Sequence, residues 1–251
     1  MTLRRFYIPP ECIQNEEASL PDAQAHHLKN VLRLSPGTAV EVFDGEGNGY
    51  SGEVELRETN VFISRLRRLP PLLSSARLTL ASALIKPARW EWALEKATEL
   101  GIDEFQPLNT NRSDIRIPAN KIPDRVDRWK RIAMETCRQC QRLTVPSIHS
   151  PMNFPDFIAS NEYSTCARIL FYENSRELWR PDRETFSIDT VLCVGPEGGW
   201  TEDEVKLAER SGWKIFGLGS LIFRAETAAI AATAILRHQR QLFYQSRALN
   251  H

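Results

Sequence analysis

The chain has 251 residues, 42% of them hydrophobic, and its 32 Lys and Arg balance 32 Asp and Glu. That length suits one large or two modest domains, and that apolar share excludes a disordered chain. A net charge of zero excludes bulk attraction to nucleic acid or membrane, so any such binding must come from local patches. No basic start leads into an apolar signal segment and no apolar run approaches the ~18 residues of a membrane helix, so a cytoplasmic protein is expected. Five scattered cysteines fit reduced thiols in that compartment.

The first 70 residues read mainly as β. After "DAQAHHLKNVLRL", a short helix, "TAVEVFDGEGNGYSGEVEL" reads as two strands around a glycine-rich turn. Gly45, Gly47 and Gly49 could instead mark a nucleotide loop, but a strand pattern follows them rather than a helix. His26 and His27 read as cap or surface residues. "VFISRLRRL" is a further strand. "RRLPPLLSSAR" then reads as a linker, placing one domain over 1–72 and another over 73–251.

Beyond the linker the pattern changes. "RLTLASALI" is a near-continuous apolar strand, and "RWEWALEKATELG" a helix with Trp90, Leu94, Ala97 and Leu100 on one face and Gly101 at its stop. "DEFQPL" is a short strand. "PDRVDRWKRIAMETCRQCQR" is a long helix with Val126, Trp129, Ile132, Ala133, Cys137 and Cys140 inward. Cys137 and Cys140 form a lone CxxC on that apolar face, which fits buried inert thiols better than zinc, so no metal is expected. "ARILFY", "DTVLCV" and "KIFGLG" are strands; "EDEVKLAERSG" and "ETAAIAATAILRHQRQLF" are helices. Alternation of this kind specifies an α/β domain with a largely parallel sheet.

In open α/β sheets, ligands bind beyond the carboxyl ends of the strands. Two glycine-rich loops occupy that position, "GPEGG" after "DTVLCV" and "GLGSLIFRAET" after "WKI". Neither is a dinucleotide fingerprint or a P-loop. Thr201 and Glu204 fit a capping box, and Glu202, Asp203 and Glu204 together would repel a phosphate at this helix start. A ligand there should meet the protein with a neutral or cationic group. S-adenosylmethionine fits, with adenine and ribose for backbone contacts, a positive sulfur and no phosphate.

"VGPEGGWTEDEV" and "LGSLIFRAETAAI" resemble the motifs of the SPOUT methyltransferases, and among them the bacterial 16S rRNA uridine-N3 methyltransferase family. The similarity runs in order through "RRFYI", "HHLKNVLRL", "DGEGNGYSGEV", "LEKATELGI" and "RWKRIAMETCRQCQR". It departs at Pro87-Ala88, where many members carry Gly-Asp, and at Phe223, where Leu is usual. The resemblance implies a small PUA-like β-barrel, then a methyltransferase domain with a carboxyl-terminal trefoil knot. It implies a homodimer and transfer of a methyl group from S-adenosylmethionine to N3 of a uridine in 16S rRNA of the small ribosomal subunit. Carried over by motif, Gly195, Pro196, Glu197, Gly198 and Gly199 form a first cofactor loop. Leu218, Gly219, Leu221, Ile222 and Phe223 form a second, with Leu170 and Phe171 as a third contact and Arg224 beside the reacting groups. Glu226 is a candidate base, with helix capping as its alternative.

Residues 111–142 carry nine Lys or Arg against four Asp or Glu. From charge alone this is either a solvated helix face or a phosphate-binding patch; the resemblance favours RNA contact through Arg112, Arg125, Arg138 and Arg142, extended by Arg4, Arg5 and Arg33. An RNA-binding module without catalysis, and an enzyme that methylates another position such as a ribose 2′-OH, are the alternatives. The two loops speak against the first.

Overall fold

The structure, a computed structural model, describes residues 3–58, 60–70 and 76–248. Part of the expected linker, 71–75, and the expected domain boundary within it lie outside the described residues. The chain divides into two compact units: residues 1–73 with 134–145, and residues 74–133 with 146–251.

The first unit contains β1 (Arg4–Tyr7), β2 (Ile13–Gln14), β3 (Glu17–Ser19), α1 (Asp22–His26), β4 (Ala39–Phe43), β5 (Gly49–Arg57) and β6 (Asn60–Arg68). Helix α1 continues as a π-helical stretch, His27–Val31, so the two histidines lie at the junction inside one helical run. The strands form one six-stranded sheet in the order β1-β4-β5-β6-β3-β2, antiparallel except for β1 against β4. This fits a small β-barrel. Phe6, Ile8, Leu28, Val40, Val42 and Ile63 are fully buried in its core. The turn "DGEGNG" is a hairpin turn held by Asp44, whose carboxylate accepts from the amides of Glu46 (2.8 Å) and Asn48 (3.0 Å). Gly45 and Gly47 there have φ of +80° and +107°, open to glycine at little cost. Residues 134–145 join this unit through Cys137 and Leu143, which pack on Phe43. Burial pushes the Cys137 thiol up to about 12, as expected of an inert buried cysteine.

The second unit contains β7 (Leu78–Ala83), α2 (Pro87–Glu99), β8 (Glu104–Asn109), β9 (Ser147–Ile148), β10 (Met152–Asn153), α4 (Phe154–Ala159), β11 (Ala167–Phe171), α5 (Arg183–Ser187), β12 (Thr190–Val194), α6 (Glu202–Arg210), β13 (Lys214–Phe216) and α7 (Ala225–Ala248), and most of α3 (Ile122–Cys140). Its seven strands are all parallel, ordered β10-β8-β7-β12-β11-β13 with β9 also on β8. Strand β7 and strand β12 are buried at every position, which explains their near-continuous apolar sequences. Pro87 stands at the first position of α2, where its missing N–H costs nothing and its fixed φ suits a helix start. Pro87 and Ala88 thus lie in the first turn of a regular helix.

Helix α7 is fastened by Arg240, which is 1% exposed. Its guanidinium donates to the carbonyls of Ala76 (2.7 Å), Thr185 (3.0 Å) and Ile188 (2.6 Å) and to the Thr190 hydroxyl (2.8 Å). Burial without a carboxylate partner in that set lowers its pKa to about 10. No described helix is long and apolar enough to cross a membrane.

Candidate functional site

Strands β12, β11 and β13 are neighbours, and their carboxyl ends open into one pocket of about 520 Å³. The first loop, 195–200, leaves β12; the second, 217–224, leaves β13 and enters α7. The pocket is lined by Phe171, Gly195, Pro196, Gly199, Leu218, Gly219, Leu221 and Phe223, eight of the residues expected from sequence. Of the others, Leu170 is wholly buried in the core beneath, while Glu197, Gly198 and Ile222 are exposed and outside the lining. The pocket also draws on Val194, Trp200, Ala225 and Ala228, which lie in the two motifs but were not among the expected contacts, and on Tyr172 and Glu173, which lie outside both motifs.

The first loop is braced on several sides. Trp200, 2% exposed, donates from Nε1 to the Phe171 carbonyl (2.9 Å) and so ties the loop to β11. A Cβ on Gly195 would sit 2.9 Å from that indole, so only glycine fits. Arg112 Nη1 donates to the carbonyls of Gly198 (3.1 Å) and Trp200 (3.3 Å). A side chain at Gly198 would meet Arg112 rather than the pocket. Gly199 has φ of +70°, and a Cβ there would collide with Glu173 Oε1.

The capping box at α6 forms as the sequence indicates. Thr201 Oγ1 accepts from the Glu204 amide (3.2 Å), and Glu204 Oε2 accepts from the Thr201 amide (2.8 Å). Glu204 is buried, and its other oxygen accepts from the Asn111 amide (2.8 Å), so this carboxylate is structural. Glu202 and Asp203 are exposed and do not line the pocket. The carboxylate that does is Glu173, two residues beyond β11. The three acids at the start of α6, from which the sequence suggests a neutral or cationic ligand, thus do not face the pocket, because one is consumed by the cap and the other two point to solvent.

Arg89, from the first turn of α2, pairs with Glu197 of the first loop and lies 3.8 Å from Glu226 in the first turn of α7. Glu226 is buried, and its Oε2 has no hydrogen-bond partner. It makes no capping bond to its own helix among the described residues. Arg224 is exposed at the end of the second loop, and its guanidinium has no hydrogen bond or ion pair among the described residues.

The remaining arginines differ in how free they are. In the first unit, Arg4 and Arg33 are exposed, whereas Arg5 pairs with Glu41 (2.5 Å) and Arg138 with Glu135 (2.5 Å). Arg142 also has a partner. In the second unit, Arg112 braces the first loop and Arg125 lies 3.9 Å from Glu91.

A family model described as an RNA methyltransferase domain matches residues 73–237, and one described as an RNA methyltransferase PUA domain matches 20–60. The ribosomal RNA small subunit methyltransferase E of a Synechocystis species is 34% identical over 92% of this chain and 76% of its own. That of Rickettsia conorii is 31% identical over 94% of this chain and 96% of its own. The enzyme of that name from Neisseria gonorrhoeae, solved bound to S-adenosyl methionine, superposes with a TM-score of 0.84 at 28% identity, covering 95% of this chain and 98% of that one. A Legionella pneumophila protein solved with bound SAM gives 0.83 at 26%, covering 95% and 98%. With both domains matched in order and the loops assembled at the strand ends, the chain belongs to the ribosomal RNA small subunit methyltransferase E family, a family of SPOUT methyltransferases.

Proposed function

We propose that this chain transfers a methyl group from S-adenosylmethionine to N3 of a uridine in 16S rRNA of the small ribosomal subunit. The observation that carries the reading is the pocket at the ends of β12, β11 and β13, walled by two glycine-rich loops and holding a carboxylate. It fits this donor: glycines admit close backbone approach for the nucleoside, and Glu173 complements a cationic group where a phosphate would be repelled. When bound, the donor supplies a methyl group on a positively charged sulfur.

The chain's own residues must align N3 with that methyl and balance charge on the uracil. N3 gives its proton to solvent water and attacks as an anion, its negative charge spread over the two ring oxygens, and the methyl's bond to sulfur breaks as its bond to N3 forms. Arg224, whose guanidinium has no hydrogen bond or ion pair among the described residues, is the group we assign to those oxygens. Exposed Arg4 and Arg33 are assigned to RNA phosphates. The same reading includes a trefoil knot in the carboxyl-terminal part, a homodimer, and action in the cytoplasm where the substrate is made. For the homodimer, the support is apolar surface on the second loop and α7: Leu221 and Ile222 are 75% and 82% exposed, and Ile235 and Leu242 are exposed.

The test is methyl transfer from labelled S-adenosylmethionine to small subunits isolated from cells lacking the enzyme, followed by mass spectrometry of the digested RNA. The expected product is a single uridine methylated at N3. Methyl on a ribose oxygen, or none on RNA, overturns the proposal.

A further inference from the structure

Within the second unit, the end of β7 and the start of α2 border a second cleft of about 490 Å³ that shares no lining residue with the cofactor pocket. Leu84, Ile85, Trp90, Ile117 and Trp129 make its apolar part. Three cations, Arg116, Lys121 and Arg125, line the same cleft. Arg116 is engaged with the surrounding loop, donating to the carbonyls of Thr110 (2.6 Å) and Ser113 (3.1 Å). Arg125 is 3.9 Å from Glu91, but that carboxylate is already held by Arg128 at 2.6 and 2.8 Å. Lys121 is exposed and makes no ion pair among the described residues. Trp90 is 1% exposed, yet its Nε1 has no hydrogen-bond partner, so one buried donor bordering the cleft lacks an acceptor.

A smaller groove connects the cleft to the cofactor loops. It shares Leu84, Ile85 and Ile115 with the cleft and Pro196 with the cofactor pocket. Lys86 and Arg112 line it, against Asp114 and the Glu197 already paired with Arg89. A path lined by two cations and two acids therefore runs from the edge of the cofactor pocket to an apolar cleft with cations at its border.

A uridine methylated at N3 must first leave any base pair, because N3–H is the proton that pairing uses. Extruding it removes a stacking partner from its neighbours, at a cost of about a few kcal/mol. A protein surface that buries a neighbouring base offsets that cost. Apolar walls suit a base, and fixed cations suit the phosphate joined to it. A purely apolar ligand would leave the cations without a role. Taking the chain as an RNA methyltransferase, we propose that this cleft holds a nucleotide adjacent to the target uridine, its base against the half-buried Ile115 and Ile117 and its phosphate at Lys121 and Arg125.

The experiment compares the full-length wild type with Lys121→Glu and Lys121→Arg on small subunits. Lys121→Glu should raise KM for the subunit about tenfold, one charge-assisted contact, while S-adenosylmethionine affinity stays unchanged. Lys121→Arg should restore KM. The salt dependence of subunit binding should flatten by about 0.7 in the glutamate variant, one phosphate of a single strand. RNA carrying 4-thiouridine beside the target should cross-link to the segment 115–129. An unaltered KM in Lys121→Glu, or cross-links confined to other segments, overturns the inference while wild-type methylation stands. Loss of a dimer in Lys121→Glu would mark the cleft as a contact between copies and also overturn it. A wild-type chain that methylates no RNA removes the functional reading and this inference together.

Discussion

The first loop is fastened by Trp200 to β11, by Arg112 at two carbonyls, by Glu204 at its exit and by Arg89 at Glu197. The second loop is anchored at its root, where Gly217 exchanges backbone bonds with Glu177 and Trp179, and then leaves its side chains in solvent. Leu221, Ile222 and Arg224 are exposed, and a Cβ on Gly219 would touch nothing within 4 Å. One wall of the pocket is thus fixed by the fold. The other has apolar and cationic groups without partners among the described residues, and in the proposed function these groups meet cofactor, RNA or a second chain. A methyltransferase needs both kinds of wall. A rigid one sets where the methyl lies, and an adaptable one closes over two substrates of very different size.

The largest effect expected from this contrast is at Trp200. Trp200→Ala should lower folding stability by about 3–5 kcal/mol, through lost burial and the cavity left behind. Trp200→Phe retains most of the packing but leaves the Phe171 carbonyl without its donor, at about 1–3 kcal/mol. Urea unfolding measures both. If the phenylalanine variant is as stable as wild type and binds S-adenosylmethionine normally, the first loop is not held in the way described.

Arg224→Ala addresses the other wall. It should fold and bind cofactor normally, because the guanidinium supports nothing else among the described residues. Its turnover should fall about a hundredfold, roughly 3 kcal/mol for one charged contact at developing negative charge. Single-turnover methylation separates this from binding. The variant should recover part of its rate as pH rises, because more uracil then ionises unaided. Arg224→Lys keeps the charge but loses the planar fork, and should fall between. Near-normal turnover in the alanine enzyme would return Arg224 to the solvent-exposed surface.

The contrast also explains how much the sequence disclosed. Strand and helix alternation was legible because β7 and β12 are buried on both faces and α2 and α6 carry clear stops at Gly101 and Gly212. The capping box was legible because its partners are three residues apart. The braces of the first loop were not. Arg112 meets Gly198 across 86 positions and Arg89 meets Glu197 across 108, so no local pattern announces either. Arg112 reads from sequence as part of a basic run, and only the folded chain shows its engagement with loop carbonyls. Arg240 lies in "RHQRQL", polar by composition, yet its ring of carbonyl acceptors allows it to be buried. Glu173 was missed because a single acid beyond a strand is ordinary until the topology brings the end of β11 between β12 and β13. Residues 134–145 group with the first unit because Cys137 and Leu143 find their apolar contacts on Phe43, a pairing that composition cannot reveal.

A smaller effect is expected at the exit of the first loop. Glu204→Ala removes the reciprocal cap on Thr201 and leaves the Asn111 amide without its acceptor. The loss should be about 1–2 kcal/mol in urea unfolding. The methyl-transfer rate at saturating substrates should stay close to wild type, because Glu204 does not line the pocket. A stability loss below experimental error would mean the box contributes little to holding this loop.

The smallest change in stability belongs to the tip of the second loop. Ile222 is 82% exposed, so Ile222→Ser deletes almost no buried contact. A surface substitution of this kind should alter folding stability by no more than about 0.5 kcal/mol. Its consequence should appear instead in association. If the loop and α7 meet a second copy, Ile222→Ser combined with Leu221→Ser should shift the protein from twice the chain mass towards a single chain in light scattering at sub-micromolar concentration. Cofactor affinity should fall with it, because Leu221 lines the pocket and a wall without partners is then left open. A double variant that remains dimeric and binds cofactor as wild type does would show that the exposed apolar tip serves neither contact. A double variant that loses several kcal/mol as a monomeric unfolding unit would show that the tip is packed in solution. In that case the two loops are braced alike, and the division between a fixed and an adaptable wall is wrong.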